Sequence, residues 1–155
     1  MLNDDFKEML SELSAAGVEY LLIGAYAMAT YGLPRATGDI DIWVRRSPEN
    51  AERIWRALAR FGAPMDAFDR KDFSREGTVI QIGVAPCRID LLTSIDGVGF
   101  EEAWENRAQC DLDGLSVSVI SRQDLIRNKQ AVGRPQDRAD VSALEGQDDE
   151  SSSAS

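Results

Sequence analysis

Apolar side chains recur at Phe6, Met9, Leu10 and Leu13, spacings of three and four that predict an amphipathic helix over residues 3–16 ending near Gly17. Residues 18–23 form a short apolar run, consistent with a buried strand, and Gly24 follows at once. Residues 25–30 suit a short helix closed by Gly32 and Pro34. A second strand spans residues 39–44, and Ser47-Pro48-Glu49 then reads as an N-cap, a first-turn proline and an early acid. The helix so opened runs to about Arg60, with Ala51, Ile54, Trp55 and Leu58 as its inner face. Residues 61–76 hold Gly62, Pro64 and many charges without a period, and are expected to form a loop at a substrate entrance.

Residues 78–84 alternate as a strand, Ala85-Pro86 turns the chain, and residues 88–92 are a further apolar strand that contains Asp90. Residues 100–106 suit a short helix, and Asp113-Gly114 signals a hairpin between residues 108–112 and 115–120. Ser121-Arg122-Gln123-Asp124 resembles a capping box that opens a helix with Leu125 and Ile126 inward. Because Arg134 precedes Pro135, that helix should break near Gly133 and resume with Val141 and Leu144. Residues 146–155 carry no large apolar side chain and are expected to be disordered. One domain over residues 1–145 and a polar tail over 146–155 follow, with no internal repeat.

Composition narrows the chemistry. At 155 residues and 43% hydrophobic content the chain matches one domain with a core. Its formal charge of −10 lacks the basic footprint that holds a nucleic-acid duplex. The start Met1-Leu2-Asn3-Asp4-Asp5 has no basic or apolar leader, and no stretch approaches the ~20 apolar residues of a membrane span, so a soluble cytoplasmic protein is expected. Cys87 and Cys110 lie far apart and are expected to be buried, reduced thiols, while Trp43, Trp55 and Trp104 are expected in the core. Histidine is absent, which removes histidine bases and histidine-ligated zinc and leaves carboxylates as metal ligands and bases.

Asp39 and Asp41 are two apart on a strand, so both project from one face about 6–7 Å apart while Ile40 and Ile42 fill the other. Like charges so placed are unfavourable unless a cation lies between them, which favours a divalent metal. Taken alone, the pair also fits edge-strand charges that discourage aggregation. Asp90, isolated in Cys87-Arg88-Ile89-Asp90-Leu91-Leu92, would be costly to bury unpaired. If its strand neighbours that of Asp39 and Asp41, three carboxylates converge on a site for one or two magnesium ions, where a third acid can take a proton from an attacking hydroxyl. Gly24 and the helix start after it would supply backbone N–H groups to a triphosphate.

Ile23-Gly24-Ala25, then Asp39-Ile40-Asp41, then Asp90 resembles the nucleotidyltransferase superfamily of DNA polymerase β-like fold. Tyr31-Gly32-Leu33-Pro34-Arg35, Val119-Ile120-Ser121 and the run from Leu125 through Lys129, Gly133-Arg134-Pro135, Asp137 and Asp140 extend the likeness over about residues 3–145. They resemble the branch containing AbiE-type abortive-infection toxins and small stand-alone nucleotidyltransferases. The resemblance implies a single α/β (α+β) domain: a mixed central sheet with flanking helices, packed on one face and with the site open at the other. It implies metal-dependent transfer of a nucleoside monophosphate from a nucleoside triphosphate to an acceptor hydroxyl, with release of pyrophosphate. Asp39, Asp41 and Asp90 would hold Mg2+ or Mn2+, Asp90 would activate the acceptor, and Gly24, Ala25, Arg35 and Lys129 would contact the nucleotide. Ala25 departs from the family's usual Gly or Ser and supplies no hydroxyl. Arg35 and Lys129 also read as partners of surface acids, and Asp137 with Asp140 as a helix cap or partners of Arg134. The acceptor is either a cationic small molecule or an RNA or protein. The rival function is a non-catalytic binding module of this fold, one half of a toxin–antitoxin pair with a cognate partner protein.

Overall fold

The computed structural model describes residues 2–35, 37–84 and 86–154. Asn3 accepts the Phe6 N–H at 2.8 Å and so caps α1 (Asp4–Ala15), whose buried stripe is Phe6, Met9, Leu10 and Leu13. Then come β1 (Tyr20–Ile23), α2 (Gly24–Thr30), β2 (Asp39–Val44) and α3 (Pro48–Phe61), which opens on a Ser47 cap and the predicted proline. The second half holds β3 (Val79–Ile82), β4 (Arg88–Leu92), α4 (Phe100–Glu105), β5 (Ala108–Leu112), β6 (Leu115–Val119), α5 (Arg122–Val132) and α6 (Pro135–Ala154). Gly133, at φ +70°, closes α5 in the left-handed region, and Pro135 opens α6 at the predicted break. Asp113 and Gly114 both take positive φ, as the tight β5–β6 hairpin requires.

The strands form one mixed sheet in the order β3-β4-β2-β1-β6-β5. Antiparallel pairs, β3 with β4 and β5 with β6, make both edges, while β2 with β4 and β1 with β6 are parallel. This is the single α/β domain that the resemblance implied. Ile40, Ile42 and Val44 are wholly buried on one face of β2, and α1 and α3 contribute Leu10, Leu13, Ile54 and Leu58 to the same core.

Several expectations need correcting. Helices do not lie on one face alone: Phe100 of α4 packs edge-on against Trp43, 5.0 Å between ring centres, and Trp43 shares the face of Asp39 and Asp41. Residues 61–76 hold two 3-10 helices, Met65–Ala67 and Arg70–Ser74, and Phe73 is fully buried. Phe68 bridges the Trp55 and Phe73 rings, so aromatic contacts that the dense charges concealed tie the segment down. Trp55 is only half-buried, beneath the Arg70 guanidinium, and Ala57 takes an inner position instead. Trp104 is likewise half-buried, whereas Trp43 lies in the core. Cys87 is exposed, in the turn leading to β4, and Cys110 is half-buried; both are free. Helix α6 runs from Pro135 to Ala154. The Ser121 cap forms, but the Asp124 carboxylate turns to Arg127 and Asn106. The turn assigned to Ala85 falls outside the described residues. No helix among the described residues is long and apolar enough to cross a membrane.

Asn50 locks α3 onto the sheet. Its side chain accepts the Glu19 N–H at 2.8 Å and donates to the carbonyls of Glu19 and Arg45 at 3.1 and 2.9 Å, from a position 1% exposed. Asn50→Ala removes the side-chain partners of the Glu19 N–H and the Arg45 carbonyl, while the Glu19 carbonyl keeps the Arg45 N–H at 3.1 Å, and should lower stability by roughly 1–3 kcal/mol, measured by urea unfolding.

Candidate active site

On β2 the alternation that buries Ile40 and Ile42 turns Asp39 and Asp41 to the opposite face. Strand β4 runs parallel beside it, with Asp39 opposite Arg88 and Asp41 opposite Asp90. Paired residues share a face, so Asp41 and Asp90 confront each other across strands about 4.8 Å apart, with Asp39 one pleat away. On the other flank Ile23 of β1 pairs with Asp41, and the chain turns into α2 at Gly24. Gly24 takes φ +66°, and a Cβ there would overlap Asp41 Oδ2 and lie 3.2 Å from its Cγ. Only glycine lets the strand end so close to this carboxylate.

Crowding of like charge shows in the protonation of Asp41. Burial, then the charges of Asp90 and Asp39, push its carboxyl up to about 6. Arg88 supplies the opposing charge. Its Nε donates to Asp90 Oδ1 at 2.8 Å, and its Nη2 donates to Asp90 Oδ2 at 3.2 Å and to Asp39 Oδ2 at 3.3 Å. Three oxygen-donor carboxylates on one face suit a hard divalent ion such as magnesium. Even so, no three acidic, cysteine or histidine side chains among the described residues form a ready-made metal centre, and Arg88 already bridges Asp39 and Asp90.

A cavity of about 310 Å³ opens from Gly24 and Asp41 past Leu92, Ser94 and Ile95 to Asn128, Lys129 and Arg134 at the α5–α6 corner. Its size falls within the range of small-molecule sites. Lys129 therefore belongs to the same cavity as Gly24 and Asp41, though its Nζ lies 2.8 Å from Asp140 Oδ2 and 3.7 Å from Asp137 Oδ1. Arg35 does not line the cavity; it makes an ion pair with the buried Asp140. Burial raises the proton affinity of Asp140, but hydrogen bonds from Arg35, Lys129 and Gln136 outweigh it and hold the carboxyl at about 2. Ala25 is half-buried in the first turn of α2 and is not part of the cavity wall. Asp137 accepts from the Arg134 N–H and Nε at 3.2 and 2.7 Å, so the reading of Asp137 as a cap and partner of Arg134 holds.

Arg88, Asn128 and Ser94 were not singled out by the sequence, where Arg134 stands only as a motif residue and a partner of Asp137. Arg88 could have been, since it stands two residues before Asp90 on a strand and so shares its face. Arg134 sits in the Gly133-Arg134-Pro135 break, where a helix end leaves a side chain at a corner.

No family model matches the chain, and no curated protein matches it. Solved structures do. A candidate nucleotidyltransferase of Thermotoga maritima superposes with a TM-score of 0.59 at 14% identity, over 92% of this chain and 91% of that one. A lincosamide antibiotic adenylyltransferase, LnuA, solved with lincomycin bound, gives 0.59 at 12% identity over 94% and 97%. An antigenic nucleotidyltransferase-like protein of Paracoccidioides brasiliensis gives 0.52 at 13% identity over 90% and 74%. The chain has the nucleotidyltransferase fold.

Two variants probe the site's electrostatics and sterics. The native Asp41 carboxyl keeps its proton up to about pH 6, against 3.8 as the ordinary value. The native state thus binds more protons between these values, and stability falls as pH rises through them. Asp41→Asn should be more stable than the parent above pH 6 by on the order of 1–3 kcal/mol, an advantage that vanishes below about pH 4, in urea unfolding with chelator present. Gly24→Ala, strained at positive φ and in collision with Asp41, should lose roughly 1–2 kcal/mol or more in the same measurement.

Proposed function

We propose that the chain is a nucleotidyltransferase that moves a nucleoside monophosphate from a nucleoside triphosphate to an acceptor hydroxyl and releases pyrophosphate. The observation that carries the reading is the register of Asp41 against Asp90, with Asp39 on the same face and Gly24 packed on Asp41 at the mouth of a cavity that leads to Lys129. In this reading Asp39, Asp41 and Asp90 hold magnesium or manganese, which when bound neutralises charge on the triphosphate. Gly24 lets the chain approach the phosphates closely, and Lys129 and Arg134 bring positive charge to the far wall of the cavity. The bonds from Lys129 to Asp140 and from Arg134 to Asp137 hold both cations in fixed directions, which spares ordering cost on binding.

Proton removal from the acceptor falls to a carboxylate of the cluster. Burial and the charges of Asp90 and Asp39 raise Asp41 to about 6, and a bound cation would offset those charges and leave Asp41 an ionised ligand, so the base is Asp90. Asp90 accepts from Arg88 at both oxygens, so its role as base requires the guanidinium to leave. A small hydroxylated molecule, neutral or cationic, is the acceptor class best supported, because a net charge of −10 opposes the phosphates of RNA. The lincomycin-bound adenylyltransferase of the same fold is consistent with it.

The test is release of pyrophosphate from each of the four labelled triphosphates with magnesium, in the presence of small hydroxylated acceptors, RNA or protein. Asp39→Ala and Asp41→Ala should each lower turnover on the order of 10²-fold or more. Equal turnover in the parent and the double variant would remove the assignment. Tight binding of a partner protein that survives all three Asp→Ala changes, with no turnover, would favour the non-catalytic module instead.

A further inference from the structure

The side chain at the centre of the acid cluster is a cation. Arg88 contacts Asp90 through two nitrogens and Asp39 through one, and these are two of the three carboxylates assigned to the metal. It reaches them from β4, where its backbone N–H is fixed to the Gly38 carbonyl at 3.0 Å, while its side chain remains 31% exposed. The stem is thus anchored and the head has solvent to swing into. A guanidinium in bidentate contact with a carboxylate occupies the lone pairs that a divalent ion would need. The same planar fork also matches phosphate oxygens, so the group has a second partner of equal chemistry once a triphosphate arrives.

We propose that Arg88 is a displaceable internal counter-ion: it occupies Asp39 and Asp90 when no divalent ion is bound, competes with metal for them, and passes to the triphosphate when metal and nucleotide enter together. The inference rests on the nucleotidyltransferase reading of the site and adds a positioning residue to it. It gives the cation on that face a role, since Arg88 holds two of the three carboxylates at once. It also makes metal binding ordered. Metal alone must expel an arginine into water, whereas metal with nucleotide gives that arginine a new anion, so each ligand strengthens the other.

The experiment is calorimetric titration of Mn2+ into the parent and into Arg88→Met, without and with a non-hydrolysable nucleoside triphosphate analogue. Arg88→Met should bind Mn2+ alone on the order of tenfold more tightly than the parent, because its competitor is gone. It should bind the analogue on the order of tenfold more weakly at saturating Mn2+, because the phosphate partner is gone. Arg88→Lys should fall between. A purely structural arginine would lower thermal stability and leave Mn2+ affinity unchanged, and that result overturns the proposal. Mn2+ binding by the parent with no tightening in Arg88→Met removes the counter-ion inference and leaves the transferase reading intact; no Mn2+ binding by either protein, with or without nucleotide, removes both. Should Arg88→Met fail to fold, the Nε–H resonance of Arg88 in the parent, assigned by its loss in Arg88→Lys, decides: saturating Mg2+ and analogue must shift it, and an unmoved resonance overturns the proposal.

Discussion

Two carboxylates that face each other across neighbouring parallel strands, Asp41 on β2 and Asp90 on β4, set the terms for everything around them. Charges of one sign at sheet spacing repel, and burial of Asp90 at 7% exposure keeps water from screening them. Protonation relieves part of the cost, at Asp41, and a guanidinium relieves another part, at Asp90 and Asp39. The close turn at Gly24 lies beside this cluster, and the same cavity runs to the corner between α5 and α6, where Lys129 and Arg134 stand with Asp137.

Two aspartates of the molecule show how environment divides one side chain into different roles. Asp140, at 3% exposure, receives Arg35, Lys129 and Gln136 and stays ionised; it joins the connection before β2 to the two C-terminal helices. Asp41 receives other acids and holds its proton to about pH 6. The first arrangement is structural and satisfied; the second is strained, and strain of this kind gathers where ligands are handled.

Much of this was legible in the chain. Asp39, Asp41 and Asp90 were readable because strand periodicity assigns a face to each residue, and a lone acid in an apolar run needs a reason. The limits of β2 and β4, the Ser47 cap, the hairpin at Asp113-Gly114 and the break at Gly133 followed from local rules that tertiary contacts did not override. What failed depended on distant partners. Arg35 was readable as the partner of an acid, but nothing near it in sequence reveals that the acid is the buried Asp140, 105 residues away. Phe73 was hidden among charges, since its burial comes from a cluster with Phe68 and Trp55 rather than from a period. Arg88 was passed over for a different reason: a charge at the first residue of a strand usually means solvent. Alternation already sets it on the face of Asp90, but the pairing of β2 with β4 is what brings Asp39 within its reach.

The strand order also bears on how the chain comes off the ribosome. Strand β1, which ends at Gly24, lies between β2 and β6, and β6 spans Leu115–Val119. By the time β4 has been made, the acids, Gly24 and Arg88 can already meet, yet one edge of β1 still lacks its neighbour and Lys129 has not been synthesised. A nascent chain therefore carries the acid half of the site on a sheet with an open, apolar inner edge, the kind of surface that pairs with other chains. Completion of the hairpin β5–β6 closes that edge, and Lys129 follows on α5 and Arg134 at its junction with α6. In this architecture the same late segment that protects the sheet from aggregation also delivers the phosphate-facing half of the site, so a truncated product would have neither.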